Sequence, residues 1–375
     1  MSKHSKAQCK SKCKIKDVEP TNERITGRGG LSLFVNYLEN IHIFENMLLP
    51  RFGSLRKSKK GASIYAFFMQ LLAFFMDATS RHLSYFDQLQ KDEAYAGVIG
   101  TQPEDMLSSH AVKRIFAAFS WPLITGFRRI HLDLFLWRLQ ITKPEVIVMD
   151  LDAMIMDNDQ AEKREGVKPT YKKRKGFNAL QLTWEGLLVD SIFRSGEKHS
   201  NSGRSVQHMI RQVVECIRSG YSGEVPIIIH MDSGYMDQKI FAVCEKLGIG
   251  YICGGKLYKD ITGWMARVPA KSWKRYFGPG EVEDSQIWEY VEFGDRRETW
   301  NQFRRAIFTR PMSAHGQLIL PFVRPCNVIY TNLGHGSLVD EQLKKAKADW
   351  LLSPEGVIRC YHDRGRSELT FRSFK

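Results

Sequence analysis

Two short stretches of this sequence place carboxylates where a buried strand stops. Residues 146–154 read Val-Ile-Val-Met-Asp-Leu-Asp-Ala-Met, so four apolar residues lead into Asp150 and Asp152. A short β-branched run of this kind predicts a buried strand. Side chains alternate along a strand, so the two Asp face the same way. An ionised carboxylate there is costly without a partner. A metal ion, a helix N-terminus or an Arg would each supply one. Residues 225–231 predict a second buried strand that ends at Asp232, before Ser233-Gly234-Tyr235. In open α/β sheets, ligands gather outside the carboxyl ends of strands. Ordinary turn chemistry accounts for either motif taken alone.

A third carboxylate, Glu368, lies near the end of the chain with Tyr361, Arg364 and Lys375. On a helix turning about 100° per residue, these four fall within about 60° of one another. They would then form one stripe of a tyrosine, two cations and an acid. A solvated face with an Arg–Glu pair at i, i+4 explains the same spacing. So does a strand, because Leu369 and Phe371 alternate with polar residues.

The elements that must position these residues change in texture along the chain. Residues 1–30 form a basic arm with six lysines between Lys3 and Lys16 and no apolar periodicity. Residues 31–140 carry apolar residues at helical spacing throughout, which predicts a helical N-terminal domain. Within it Ala111–Phe119, with Lys113 and Arg114, reads either as part of a DNA-binding helix-turn-helix or as an amphipathic helix with a solvated basic face. In the same domain, residues 62–76 are apolar but too short to span a bilayer, and they contain Gln70. From 141 the runs shorten. Strands are expected at 146–152, 177–184, 187–193, 225–231 and 249–253, with helices at 205–218 and 236–247. Three leading strands followed by strand–helix alternation predict an α/β fold, a mixed sheet flanked by helices. Residues 141–255 would be the first part of a catalytic core and 256–325 a β-rich insertion. Residues 326–375 would supply the last, incomplete part of the core, ending in a helix from about 358.

The 375 residues carry 55 Lys plus Arg against 41 Asp plus Glu, a net charge of +14. That excess favours a polyanionic partner, nucleic acid before membrane. Part of it is clustered. Residues 163–175 hold Lys163, Arg164, Lys168, Lys172, Lys173, Arg174 and Lys175, with Tyr171 among them, as a basic loop beside the first carboxylate would. Seven scattered cysteines read as reduced thiols, and no signal peptide is visible, so a cytoplasmic, nucleoid-associated protein is expected. The stretch 250–257 spells most of a phosphate-binding loop, but Leu257 stands where Ser or Thr should bind Mg²⁺.

The spacing Tyr361-x2-Arg364-x3-Glu368-x6-Lys375 resembles that of the DDE-type insertion-sequence transposases of the cut-and-paste group. Asp152 matches their first acid, and Asp232, in an Asp-Ser-Gly-Tyr segment, matches their second. The likeness covers roughly residues 60–375. It implies an RNase H-like core interrupted by a β-strand insertion, with Asp152, Asp232 and Glu368 as catalytic residues and ligands of two Mg²⁺ ions. Mn²⁺ would be a substitute. Two such ions stabilise charge on the attacking and leaving oxygens of a phosphodiester. The implied reaction is cleavage at element ends, then strand transfer by a DNA 3′-hydroxyl. The implied partners are double-stranded DNA, at terminal inverted repeats and target, and a second copy in a homodimeric complex, with no membrane. Tyr361, Arg364, Lys375, Lys172, Lys173, Arg174 and Lys175 would contact DNA. An insertion Trp, Trp288 or Trp300, would stack on a flipped base. Met154 departs from the family's Thr beside the first acid, and family members continue past the position of Lys375, so a truncated copy is expected. The rival readings are a relative that binds terminal repeats without cutting, as a repressor, and an RNase H-like nuclease without strand transfer.

Overall fold

The computed structural model describes residues 23–56, 61–160, 164–278, 287–312 and 326–364. The chain divides into two compact units, Met1–Gly126 and Phe127–Lys375. The boundary falls inside one long helix.

The first unit is helical: α1 (Leu31–Asn40), α2 (Leu49–Phe52), α3 (Ile64–Asp77), α4 (Phe86–Leu89), α5 (Glu93–Val98), α6 (Ser109–Ala117) and the start of α7 (Trp121–Thr142). Three of its helices, α3, α5 and α6, begin where a short polar side chain satisfies a free backbone N–H. Ser63 accepts from Ala66 N at α3, Asp92 from Tyr95 N at α5, and Ser108 from Ala111 N at α6. Phe44, Phe52, Phe67, Phe68, Phe74 and Phe86 fill the core. Gln70 is buried among them with its polar atoms satisfied, because it donates to Asp105 O and accepts from Leu107 N.

The second unit is built on one sheet. Its strands are β1 (Ile147–Asp157), β2 (Lys168–Pro169), β3 (Lys175–Trp184), β4 (Leu187–Ile192), β5 (Ile227–Met231), β6 (Gly250–Gly254), β7 (Lys274–Phe277), β8 (Ile287–Asp295), β9 (Arg304–Met312) and β10 (Asn327–Thr331). The order is β2-β3-β1-β5-β6-β10-β9-β8-β7, with β4 paired to β3. β4, β3 and β1 form an antiparallel meander, and β5 and β6 then add parallel to β1. This order and sense make the sheet RNase H-like. The helices are the rest of α7, α8 (Ser205–Gly220), α9 (Gln238–Lys246), α10 (Lys259–Met265), α11 (Leu338–Lys345) and α12 (Pro354–Asp363).

β5 and β6 are buried on both faces, which is why they read as continuous apolar runs, whereas β1 is buried on one face and half-buried on the other. One core holds Phe135, Leu139, Met149, Ile210, Val213, Ile229 and Phe241. A second holds Ile228, Ile252, Trp288, Ile307, Val339 and Ile358. The described strands of 256–325 extend the same sheet, β9 pairing with β10. The sequence pattern does not mark β9 as a strand. Its Arg304 and Arg305 look like surface cations in the sequence and are buried here. The alternating stretch at 317–323 and the chain beyond Arg364 lie outside the described residues.

Candidate active site

β1 and β5 run parallel with Asp150 opposite His230. Two residues further along stand Asp152, still on β1, and Asp232, just past the end of β5. Parallel pairing therefore brings two acids 80 residues apart in sequence to one sheet edge. They are close enough to repel. Burial pushes the Asp152 carboxyl above its usual range, and the neighbouring Asp232 charge adds to this. Arg364 and the Ala153 N–H pull the other way. Asp152 accepts from Ala153 N at 2.7 Å and from Arg364 Nη2 at 3.0 Å. Asp232 accepts from Gly234 N at 2.8 Å and caps the short turn Ser233–Tyr235. A Cβ on Gly234 would crowd the site, standing 2.9 Å from Ser200 Oγ and 3.0 Å from Asp232 Oδ1.

α12 brings the cation. It starts at Ser353, whose hydroxyl accepts from Gly356 N, and it buries Val357, Ile358 and Cys360. Tyr361 and Arg364, one turn apart, face the sheet edge. Tyr361 packs against His230, with ring centroids 5.7 Å apart. Its hydroxyl would lie 2.6 Å from a Cβ on Gly254, so only glycine at the end of β6 lets α12 approach this closely. Burial opposes the Arg364 charge, but Asp152 and Asp232 outweigh it and hold its pKa above the ordinary value.

Asp150 has a different partner. Its Oδ1 lies 3.1 Å from His230 Nδ1, and His230 is 2% exposed. Burial keeps that imidazole below its usual pKa, so it is neutral near pH 7. Of the two Asp on β1, Asp152 is therefore the one turned toward Asp232 and Arg364. Tyr171 also senses the acids: burial first, then Asp152 and Asp232, raise its pKa. Lys172, Lys173, Arg174 and Lys175 are exposed on the 170–175 turn, and Arg174 Nη1 lies 3.0 Å from Asp157 Oδ2.

The structure brings together Asp152, Asp232, Tyr361 and Arg364, while the basic turn packs on the far end of β1 through Arg174 and Asp157. Glu368 and Lys375 lie outside the described residues. The expectation for Trp288 and Trp300 is corrected. Trp288 is 7% exposed and packs tilted against His362, with ring centroids 4.6 Å apart, and Trp300 is 4% exposed against Phe241 and Tyr330. Both indoles are committed to core packing and neither offers a face to a base. Arg297 is likewise engaged, with Asp295 and Asp260. Sequence reading missed the Asp150–His230 pair and the close approach at Gly254. The period-two spacing 230/232 repeats that of 150/152 and was the available signal.

Among the described residues, no group of three or more His, Cys, Asp or Glu forms a metal-sized cluster. The donor set of Asp152 and Asp232 still fits a hard divalent cation. Both offer carboxylate oxygens, and Asp152 is destabilised by desolvation and a like charge, which a cation relieves. No described helix is long and apolar enough to cross a membrane.

Fold and site thus define an RNase H-like chain with an acidic pair where the pairing of its central strands β1 and β5 ends. The family described as Transposase DDE domain, group 1, matches residues 8–375, and the chain belongs to that family. Comparison with curated protein sequences gives no match. Among solved structures, a piggyBac transposase synaptic complex with hairpin DNA is 10% identical, with a TM-score of 0.37, over 94% of this chain and 76% of that one. A Mos1 mariner paired-end complex with Mn is 10% identical, with a TM-score of 0.22, over 60% of this chain and 78% of that one.

Proposed function

We propose that this chain is a DNA transposase that cuts phosphodiesters at the ends of its element in a divalent-cation-dependent reaction and joins the freed 3′-hydroxyl to target DNA. The observation that carries this reading is the convergence of Asp152 and Asp232 on adjacent parallel strands, with Arg364 held against Asp152. Asp152, Asp232 and Glu368 would hold Mg²⁺, with Mn²⁺ as substitute. Bound there, the metal supplies charge stabilisation at the attacking and leaving oxygens. Asp150 and His230 brace the strands beneath the acids. Arg364 balances the carboxylate charge and presents a planar guanidinium suited to a phosphate. Tyr361 anchors the helix that carries Arg364, and Lys375 would add a point charge further along. The turn with Lys172, Lys173, Arg174 and Lys175 tracks a DNA backbone beside the cut site. The helical unit and a second copy of the chain complete the complex on double-stranded DNA.

The test is incubation with duplexes carrying the element's terminal repeats, in Mg²⁺ and separately in Ca²⁺. Nicking followed by joined products in Mg²⁺, absent in Ca²⁺ and in Asp232→Asn, is the expected result. Salt-sensitive binding without cleavage would instead make the chain a binder, and cleavage without joining a plain nuclease.

A further inference from the structure

Away from the acidic pair, one buried cation has no carboxylate beside it among the described residues. Arg194 follows β4 and is 8% exposed. Its Nε donates to Asn178 O at 3.2 Å, and its Nη1 to Ser200 O at 3.0 Å and His199 O at 3.4 Å. All three acceptors are backbone carbonyls. Its Nη2 has no hydrogen-bond partner among the described residues. Burying a guanidinium with no anion beside it is unfavourable unless an anion arrives.

The guanidinium is aimed at the start of α8. Nη1 also lies 3.4 Å from the hydroxyl of Ser205, the first residue of that helix. α8 is 16 residues long, and no side chain caps its N-terminus. The N–H groups of its first turn have no partner within the helix, and the helix dipole favours negative charge there. Gly203 precedes it at φ +72°, and nothing stands within 4 Å of where its Cβ would be. Lys198 and Arg204 are exposed at the rim. With Arg194, Ser195, Ser202, Gly203 and Ser205 they line a hollow of about 250 Å³. From 194 to 205 the chain holds three Lys or Arg cations and a single acid, Glu197.

We propose that this hollow is a phosphate-binding subsite. The free helix N–H groups and serine hydroxyls supply donors, Lys198 and Arg204 supply charge from the rim, and Arg194 supplies it from beneath. The segment that forms the hollow also reaches the candidate active site: Ser200, whose carbonyl accepts from Arg194, has its Oγ beside the position of a Gly234 Cβ, which Asp232 Oδ1 crowds as well. Resting on the DNA reading above, the ligand is a backbone phosphate next to the one that is cut. Such contacts fix register without reading sequence. Free phosphate offers the same chemistry, so the test separates the two.

Two variants of the full chain are compared with wild type, Lys198→Ala/Arg204→Ala and Ser202→Glu, the second placing a carboxylate in the hollow. Thermal melting with orthophosphate alone is the first arm. Binding of a short random-sequence duplex across a salt series is the second. Orthophosphate should raise the wild-type Tm and leave both variants unmoved, while Ser202→Glu alone should melt higher than wild type without phosphate. The slope of log Kd against log salt should flatten by about 1 for each DNA phosphate that a variant no longer neutralises. Equal slopes in all three proteins overturn the DNA assignment, and if orthophosphate still protects the wild type, the hollow takes a free anion only. No protection together with equal slopes overturns the subsite. A wild type that ignores duplex DNA sinks the functional reading, and the orthophosphate arm then still decides the hollow.

Discussion

Arg304 and Arg364 both meet carboxylates inside the second unit, yet their surroundings differ. Arg304 is 3% exposed, pairs with Glu245, and donates to Tyr251 Oη at 2.8 Å. Its guanidinium lies over the rings of Phe241, Tyr251 and Trp300, at 4.9, 5.9 and 5.6 Å from their centroids. One cation faces one anion in an aromatic cage, so the charges balance with no further ligand. Arg364 faces two carboxylates, Asp152 and Asp232, at a strand edge where Asp152 keeps 22% of its side chain exposed. One cation against two crowded anions leaves negative charge that only another cation neutralises. Surplus charge of one sign at an accessible edge separates the candidate site from a structural ion pair, although both look alike as Arg–acid contacts.

The sharpest way to break this comparison is to neutralise one acid. Asp232→Asn should lower Mg²⁺-dependent cleavage by on the order of 10²–10³-fold, the scale of removing one electrostatic stabiliser. Its metal-free Tm should stay level or rise, because a like-charge contact is gone. A clear fall in Tm would place Asp232 with the structural pairs.

Next in size is the cage. Glu245→Ala strands a buried guanidinium and should cost about 3 kcal/mol in urea unfolding, with DNA affinity unchanged in the folded fraction. A neutral outcome would mean that the rings alone hold Arg304.

Acid should separate the two regions as well. Burial holds His230 and His362, both packed around Tyr361, below the usual imidazole pKa of 6.5. Above that value both the folded and the unfolded chain are neutral at these positions. As pH falls below it, the unfolded chain takes up protons first, so stability is lost. Melting from pH 8 to 5 should show the loss in wild type and a shallower one in His362→Gln, while Glu245→Ala keeps the wild-type slope.

The smallest effect belongs to the basic turn. Lys172→Ala/Lys173→Ala should weaken duplex binding several-fold and reduce the salt slope by about 1 to 2. Cleavage at saturating protein should be unchanged, since neither lysine touches the acids.

How much of this was legible in the chain varies by element. The run at 225–231 identifies β5 because a strand buried on both faces must be apolar throughout, and the run at 146–152 identifies β1, whose faces are buried and half-buried in turn. Asp152 and Asp232 stood out because an acid ending such a run requires a partner. β9 was hidden, since Arg304 and Arg305 carry the same formal charge whether solvated or caged. Trp288 and Trp300 misled for the related reason that an indole serves equally as core filler and as stacking face.

Composition and period thus determined the mixed sheet, the basic character and the two acids, because burial and side-chain alternation are local rules written residue by residue. Which groups meet was decided only by the tertiary structure. Parallel pairing of β1 with β5 and the glycine-permitted approach of α12 set Asp152 against Asp232 and Arg364. Those contacts join residues up to 212 positions apart, a separation over which local sequence rules carry no information.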